Sequence, residues 1–117
     1  MDIEQLDAYC MAKAAVTQSM PFDDKTLAYK VGSKIFILLD VSKPEMSFNA
    51  KCDPEKALDL REKNPQIAPG YHMNKKHWNT IACQGLKQEL IRELNDHSYQ
   101  LVSNSLSKKE KTELGLI

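Results

Sequence analysis

The chain has 117 residues, 42% of them hydrophobic and 27% charged, and its sixteen Lys and Arg balance sixteen Asp and Glu. That is enough chain for one domain, 1–117, with one core and no staples. The neutral balance excludes a broadly basic nucleic-acid binder and leaves only a local patch for such a role. Cys10, Cys52 and Cys83 are odd in number, widely spaced and without a C-x-x-C pair, which excludes zinc-knuckle and thioredoxin-like chemistry. Asp2, Glu4 and Asp7 stand where a secretory signal would be cationic. The longest apolar run, residues 35–39, has strand length and falls far short of the ~20 residues of a membrane span. A cytoplasmic protein without a membrane anchor is expected.

Asp2 with Gln5 three residues later predicts a capping box. Ile3, Leu6, Cys10 and Ala14 then recur at helical spacing, predicting a first helix over 3–16. Residues 19–24 read as a loop in which Met20 and Phe22 tuck under a sheet. Residues 27–31 and 34–40 predict two strands joined by a type II′ turn at Gly32-Ser33. In the second strand Ile35, Ile37 and Leu39 are expected on one face and Phe36 and Leu38 on the other, both faces covered. Residues 46–52 alternate and predict a half-exposed strand with Ser47, Asn49 and Lys51 toward water.

Asp53-Pro54 opens a helix over 53–64, with Asp as cap and Pro where its missing N–H costs nothing. Its expected inner stripe is Ala57, Leu58 and Arg61. Asn64-Pro65 ends it, and 66–70 reads as a connector. Residues 77–83 alternate once more, with Trp78, Thr80 and Ala82 on one face and Asn79, Ile81 and Cys83 on the other. Leu86, Leu90, Ile91, Leu94, Ser98, Leu101 and Val102 form the strongest helical stripe. Ser107 with Glu110 predicts the capping box of a last short helix. The pattern α-β-β-β-α-β-α-α, with its short turns, predicts an α+β two-layer sandwich, an antiparallel sheet with helices packed on one face.

Chemistry concentrates in residues 69–81, Pro-Gly-Tyr-His-Met-Asn-Lys-Lys-His-Trp-Asn-Thr-Ile. Lysines, amides and an aromatic plane are the groups that hold phosphates and stack on bases. Against this stands the plain reading of a solvated turn with Trp78 packed into the core, the commoner fate of a tryptophan. His72, His77 and His97 match no zinc spacing, so no metal is expected. Cys83 sits in an apolar run and reads as core rather than nucleophile. The glycines are isolated, so no phosphate loop exists. No catalytic constellation and no cofactor are called for.

The stretch at 69–81 resembles the signature of the MmcQ/YjbR-like family of small bacterial proteins. Pro21-Phe22, the Lys30-Val31-Gly32-Ser33-Lys34 hairpin, Lys51-Cys52-Asp53-Pro54 and His97-Ser98-Tyr99 fall where that family has them, and the resemblance covers roughly residues 3 to 112. It implies a frataxin (CyaY)-like two-layer fold and a double-wing mode of DNA binding through two β-hairpin turns. Iron handling through an acidic first helix does not carry over, because that helix holds only Glu4 and Asp7 with Asp2. The double wing implies phosphate contacts from Lys30, Ser33 and Lys34 at one turn and from Asn74, Lys75, Lys76 and His77 at the other. The expected function is therefore weak, largely backbone-directed, non-enzymatic DNA binding by a monomer. The alternative is a module that binds an unidentified protein or a small ligand in a groove lined by Tyr71, His72, Trp78, Asn79 and His97. A third reading, an enzyme centred on His72, His77 and His97, lacks a recognised set of roles.

Overall fold

Asp2 starts the first helix as its side chain dictates. Its carboxylate accepts the Gln5 N–H at 2.8 Å, and the Gln5 side chain accepts the Asp2 N–H at 2.9 Å. A computed structural model describes residues 1–70 and 73–117 and ends this helix, α1 (Ile3–Met11), short of the expected residue 16. Ala15 takes φ +63°, a conformation no right-handed helix continues, and its carbonyl accepts the Gly32 N–H at 3.2 Å. The chain then runs as a strand, β1 (Val16–Ser19), where a helix end and a loop were expected. Met20 and Phe22 do not tuck under the sheet: they are 43% and 65% exposed. The β1 pairing carries the loop outside the core, and Asp23 closes it by accepting the Lys25 and Thr26 N–H groups.

Strands β2 (Thr26–Val31) and β3 (Lys34–Asp40) form the expected hairpin. Gly32 has φ +58° and Ser33 does not share it, as a type II′ turn requires. β4 (Ser47–Lys51), α2 (Pro54–Lys63), β5 (Ile67–Pro69), β6 (Trp78–Ala82), α3 (Gln88–Asn104) and α4 (Lys108–Glu113) follow. All pairings are antiparallel, in the order β1-β2-β3-β4-β6-β5. This is the expected α+β architecture with two more strands than the sequence pattern indicated. Both additions are short edge strands. β5 lies where a connector was expected, and Pro69 is tolerated because an edge needs fewer N–H donors. Among the described residues no helix is long and apolar enough to cross a membrane.

Register separates the two faces of the sheet. Tyr29, Ile37, Ala50 and Asn79 are cross-strand partners, as are Leu27, Leu39, Phe48, Ile81 and Ile67. This inner face carries the core, closed by Leu6 and Cys10 of α1, Ala57 and Leu60 of α2, and Ile91, Leu94 and Val102 of α3. On α2 the buried pair is Ala57 and Leu60, while Leu58 is 57% exposed, so the stripe runs i, i+3, i+4 to Arg61. The outer face holds Lys30, Ile35, Leu38, Asn49, Lys51, Trp78 and Thr80, and none of α1, α2 or α3 packs on it.

The expected alternation along β3 fails at one place. The register slips between Tyr29 and Lys30, so Phe36 is an extra residue on β3. Phe36 is buried beside Ile37 instead of sharing Leu38's face, and Ile35 moves to the outer face. The bulge is held from α3. Ser98 donates its hydroxyl to the Phe36 carbonyl at 2.5 Å and accepts the Lys51 N–H at 2.9 Å, and Tyr99 meets the Phe36 ring edge-on at 5.4 Å. Two residues before Ser98 on α3, Asp96 ties α1 in place by accepting the Tyr9 hydroxyl at 2.8 Å and pairing with Lys13 at 2.5 Å.

The three thiols are free and lie in this core, with Cys83 only 7% exposed. Burial pushes Cys10 and Cys52 up to about 11 and Cys83 up to about 12. Thiol labelling at neutral pH is therefore expected to be slow in native protein and to reach all three sites only in denaturant. Rapid native labelling of Cys83 would place it outside the core.

Candidate nucleic-acid interface

The topology brings the two lysine-bearing turns to one end of the sheet. β3 leaves the Gly32-Ser33 turn, β4 runs antiparallel to it and ends at Lys51, and Lys51 is the cross-strand partner of Trp78, where β6 begins. The turn at 74–77 therefore projects from the same end as Gly32-Ser33. Two to three strand spacings separate them, roughly 10–15 Å, a span like the ~12 Å width of the duplex major groove.

The second turn is built from within. Asn74 accepts the Lys76 N–H on its side chain at 3.0 Å, and its carbonyl accepts the His77 and Trp78 N–H groups at 3.1 and 2.9 Å. Behind it stands Arg61 of α2. Its Nε donates to the Asn79 side-chain oxygen at 2.6 Å, and its Nη2 donates to the Lys75 carbonyl and to the Trp78 carbonyl at 3.3 Å. Gly70 closes the other side. Its N–H donates to the Trp78 carbonyl at 2.8 Å, and a Cβ there would stand 2.8 Å from Trp78 Cβ, so only glycine fits. The His77 carbonyl accepts the Cys52 N–H at 2.8 Å. With the backbone fixed on all sides, Lys75 and Lys76 extend into solvent.

The first turn is differently occupied. Glu110 of α4 accepts the Ser33 N–H at 2.8 Å and the Ser33 hydroxyl at 2.9 Å, while Lys34 Nζ donates to the Ser105 carbonyl at 3.0 Å. Ser107 caps α4 by accepting the Glu110 N–H, but the Glu110 carboxylate turns to Ser33 rather than completing the expected capping box. Ser33 and Lys34 are thus engaged with the C-terminal residues. Lys30 and Lys51 lie on the outer face beside the turns. Among the described residues, none of Lys30, Lys51, Lys75 and Lys76 forms an ion pair, whereas Lys13, Lys43, Lys56 and Lys63 do.

Of the residues expected to line a groove, the three described ones, Trp78, Asn79 and His97, are not gathered on one face. Trp78 lies half-buried on the outer face and Asn79 is 2% exposed on the inner one, as the period of two along a strand demands. Tyr71 and His72 lie outside the described residues. The hydrogen bond that His97 makes among the described residues is to the α2 start: its Nε2 accepts the Asp53 N–H at 3.1 Å. Burial, then the charge of Lys56, hold its pKa below the ordinary 6.5. The sequence reading missed three residues. Lys51 was legible from the strand alternation that puts it on Trp78's face. Arg61 and Glu110 act across long sequence separations and left no local signal.

Comparison with known proteins agrees with the fold. The family model described as YjbR matches residues 11–101. The protein YjbR of Escherichia coli K12 is 34% identical over 112 residues, 95% of each chain. YbdF of Escherichia coli O157:H7 is 37% identical over 92 residues, 78% of this chain and 75% of that protein. A crystal structure of the Deinococcus radiodurans protein DR2400, a DUF419 domain, superposes with a TM-score of 0.91 at 39% identity, covering 97% of this chain and 87% of that one. A crystal structure from Pseudomonas syringae gives a TM-score of 0.75 at 27% identity, over 87% of this chain and 99% of that one.

Two outcomes are expected. Replacing Arg61 with Ala leaves the buried Asn79 oxygen and a carbonyl without donors and should cost about 1–3 kcal/mol in urea denaturation. Arg61→Lys should recover only part, because one ammonium cannot serve three acceptors in a fork. His97 supplies stability as a neutral acceptor. Its folded pKa lies below the unfolded one, so that stability is complete above about pH 6.5 and is lost as pH falls through the folded value. Between pH 7.5 and pH 5 the parent should lose more stability than His97→Gln, whose amide oxygen accepts without titrating. Parallel curves for the two proteins would refute this.

Proposed function

The chain belongs to the YjbR family, and on that premise we propose that it is a cytoplasmic, non-enzymatic DNA-binding protein that grips the phosphate backbone with the lysine end of its sheet. One observation carries the reading. The fold gathers Lys30, Lys51, Lys75 and Lys76 at the end from which both turns project, and leaves them without acidic partners among the described residues. In a chain of zero net charge this is a deliberate local asymmetry. Asn74 and His77 shape the second turn mainly through backbone contacts, and Ser33 and Lys34 brace the first against α4.

Four lysine contacts predict weak, sequence-tolerant binding. The counterion rule gives a slope of log affinity against log salt of about −3 to −4 and a dissociation constant of ~10⁻⁴ to 10⁻⁶ M. The contacts are largely to the backbone: the lysines act as point charges suited to phosphate, and the side-chain oxygen of Asn74, the amide of the second turn, is taken by the Lys76 N–H.

Lys75→Ala combined with Lys76→Ala removes two charges and no core contact, so stability should change by less than ~1 kcal/mol. DNA affinity should drop, and the salt slope should flatten by about two. A salt titration followed by fluorescence anisotropy of labelled DNA measures both. Equal binding by parent and double variant, or none by either at low salt, would remove the DNA reading.

A further inference from the structure

The outer face of the sheet has a graded composition along its strands. At the turn end stand Lys30, Lys51 and Trp78, with Lys51 and Trp78 directly opposed across β4 and β6. The middle is neutral: Leu38 lies beside Asn49, which accepts the Thr80 hydroxyl at 2.5 Å, while Ile35 opposes Lys30 at the turn end. The face's acid, Asp40, is at the far end, where Ser42 donates to it twice and Lys43 pairs with it. No core helix packs on this surface. It offers an aromatic ring, an apolar strip and two cations that form no ion pair among the described residues, with the Asp40 carboxylate at the opposite end. These groups match an anionic ligand with planar, partly apolar units.

We propose that this face binds single-stranded DNA, with a base stacked on Trp78 and the adjoining phosphates on Lys51 and Lys30. The inference rests on the DNA reading above and specifies its substrate. Geometry selects the single strand over the duplex. A six-stranded sheet is about 25 Å across at ~4.8 Å per strand and cannot lie face-on in a groove ~12 Å wide. A duplex meets only the projecting turns. A ring lying on a sheet face reaches a base only when that base is unpaired and splayed. Lys30 and Lys51 stand two strands apart, roughly 10 Å, so the strand crosses the sheet from β2 toward β6.

Trp78 is the sole tryptophan, so intrinsic fluorescence reports on this face alone. The test titrates the protein at low salt with oligothymidylate of about twelve nucleotides, a length within the range one such platform covers, and with a duplex of the same length. Parent, Lys30→Ala/Lys51→Ala, Lys75→Ala/Lys76→Ala and Trp78→Leu are compared, the last checked for folding by circular dichroism. The expected result is quenching by the single strand, tighter binding of it than of the duplex, and a loss of about tenfold or more in Trp78→Leu, whose binding, like the parent's, is followed by the anisotropy of labelled oligonucleotide. Lys30→Ala/Lys51→Ala, which keeps the fluorophore, should weaken single-strand binding and flatten its salt slope by about 1.4. Should Trp78→Leu misfold, this lysine pair carries the test. Duplex binding that depends on Lys75 and Lys76, with no quenching by the single strand, would overturn this inference and leave the DNA reading standing. Binding of neither nucleic acid would overturn both.

Discussion

One guanidinium holds the second turn in place. Arg61 arrives from α2, passes the edge of the core, and donates at once to the Asn79 side chain and to two carbonyls of the turn it supports. Among the described residues no carboxylate pairs with it, so its charge is stabilised by oriented neutral dipoles. Arginine suits this position because its planar fork fixes several acceptors with little loss of freedom per bond. The consequence for the surface is indirect but decisive. Lys75 and Lys76 can extend their charged heads only because the backbone beneath them is fixed from α2, from Gly70 and from Cys52.

The two turns solve the same problem in different ways. The 74–77 turn is held from beneath by backbone and guanidinium, which leaves its lysine side chains unoccupied. The Gly32-Ser33 turn is held from outside by α4, which occupies its hydroxyl and its N–H with Glu110. A carboxylate on these donors takes the place a phosphate oxygen would need. The positive character of that corner consequently falls to Lys30 and Lys51, whose positions follow from strand register rather than from the turn itself.

How much of this could be read from sequence depended on range. The β2–β3 hairpin, β4, α2 with its Asp53-Pro54 start, β6 and α3 were all legible, because each is announced by its own alternation, cap or stripe. β1 and β5 were not. They are four and three residues long and become strands only by pairing with neighbours; Val16-Thr17 continued an apparent helix, and Pro69 argued against pairing. The bulge at Phe36 was invisible because alternation assumes an unbroken register. At the candidate site the lysine turn was legible, since its residues are contiguous. The clamp by Arg61 and the carboxylate of Glu110 were not, being contacts over 14 to 18 and over 77 residues. The hydrogen bond of His97 to the Asp53 N–H at the start of α2 was equally hidden, being a contact over 44 residues.

The short outermost strands have a consequence for how these molecules behave toward one another. A sheet with one bare face is a hazard when its rims are long and regular, because a second chain can add to the rim and continue the sheet. Here β1 gives a neighbour four residues, with the left-handed Ala15 just before it, and β5 gives three, the last a proline that donates nothing. The closed rims are what allow a broad surface to stay uncovered without inviting fibre growth.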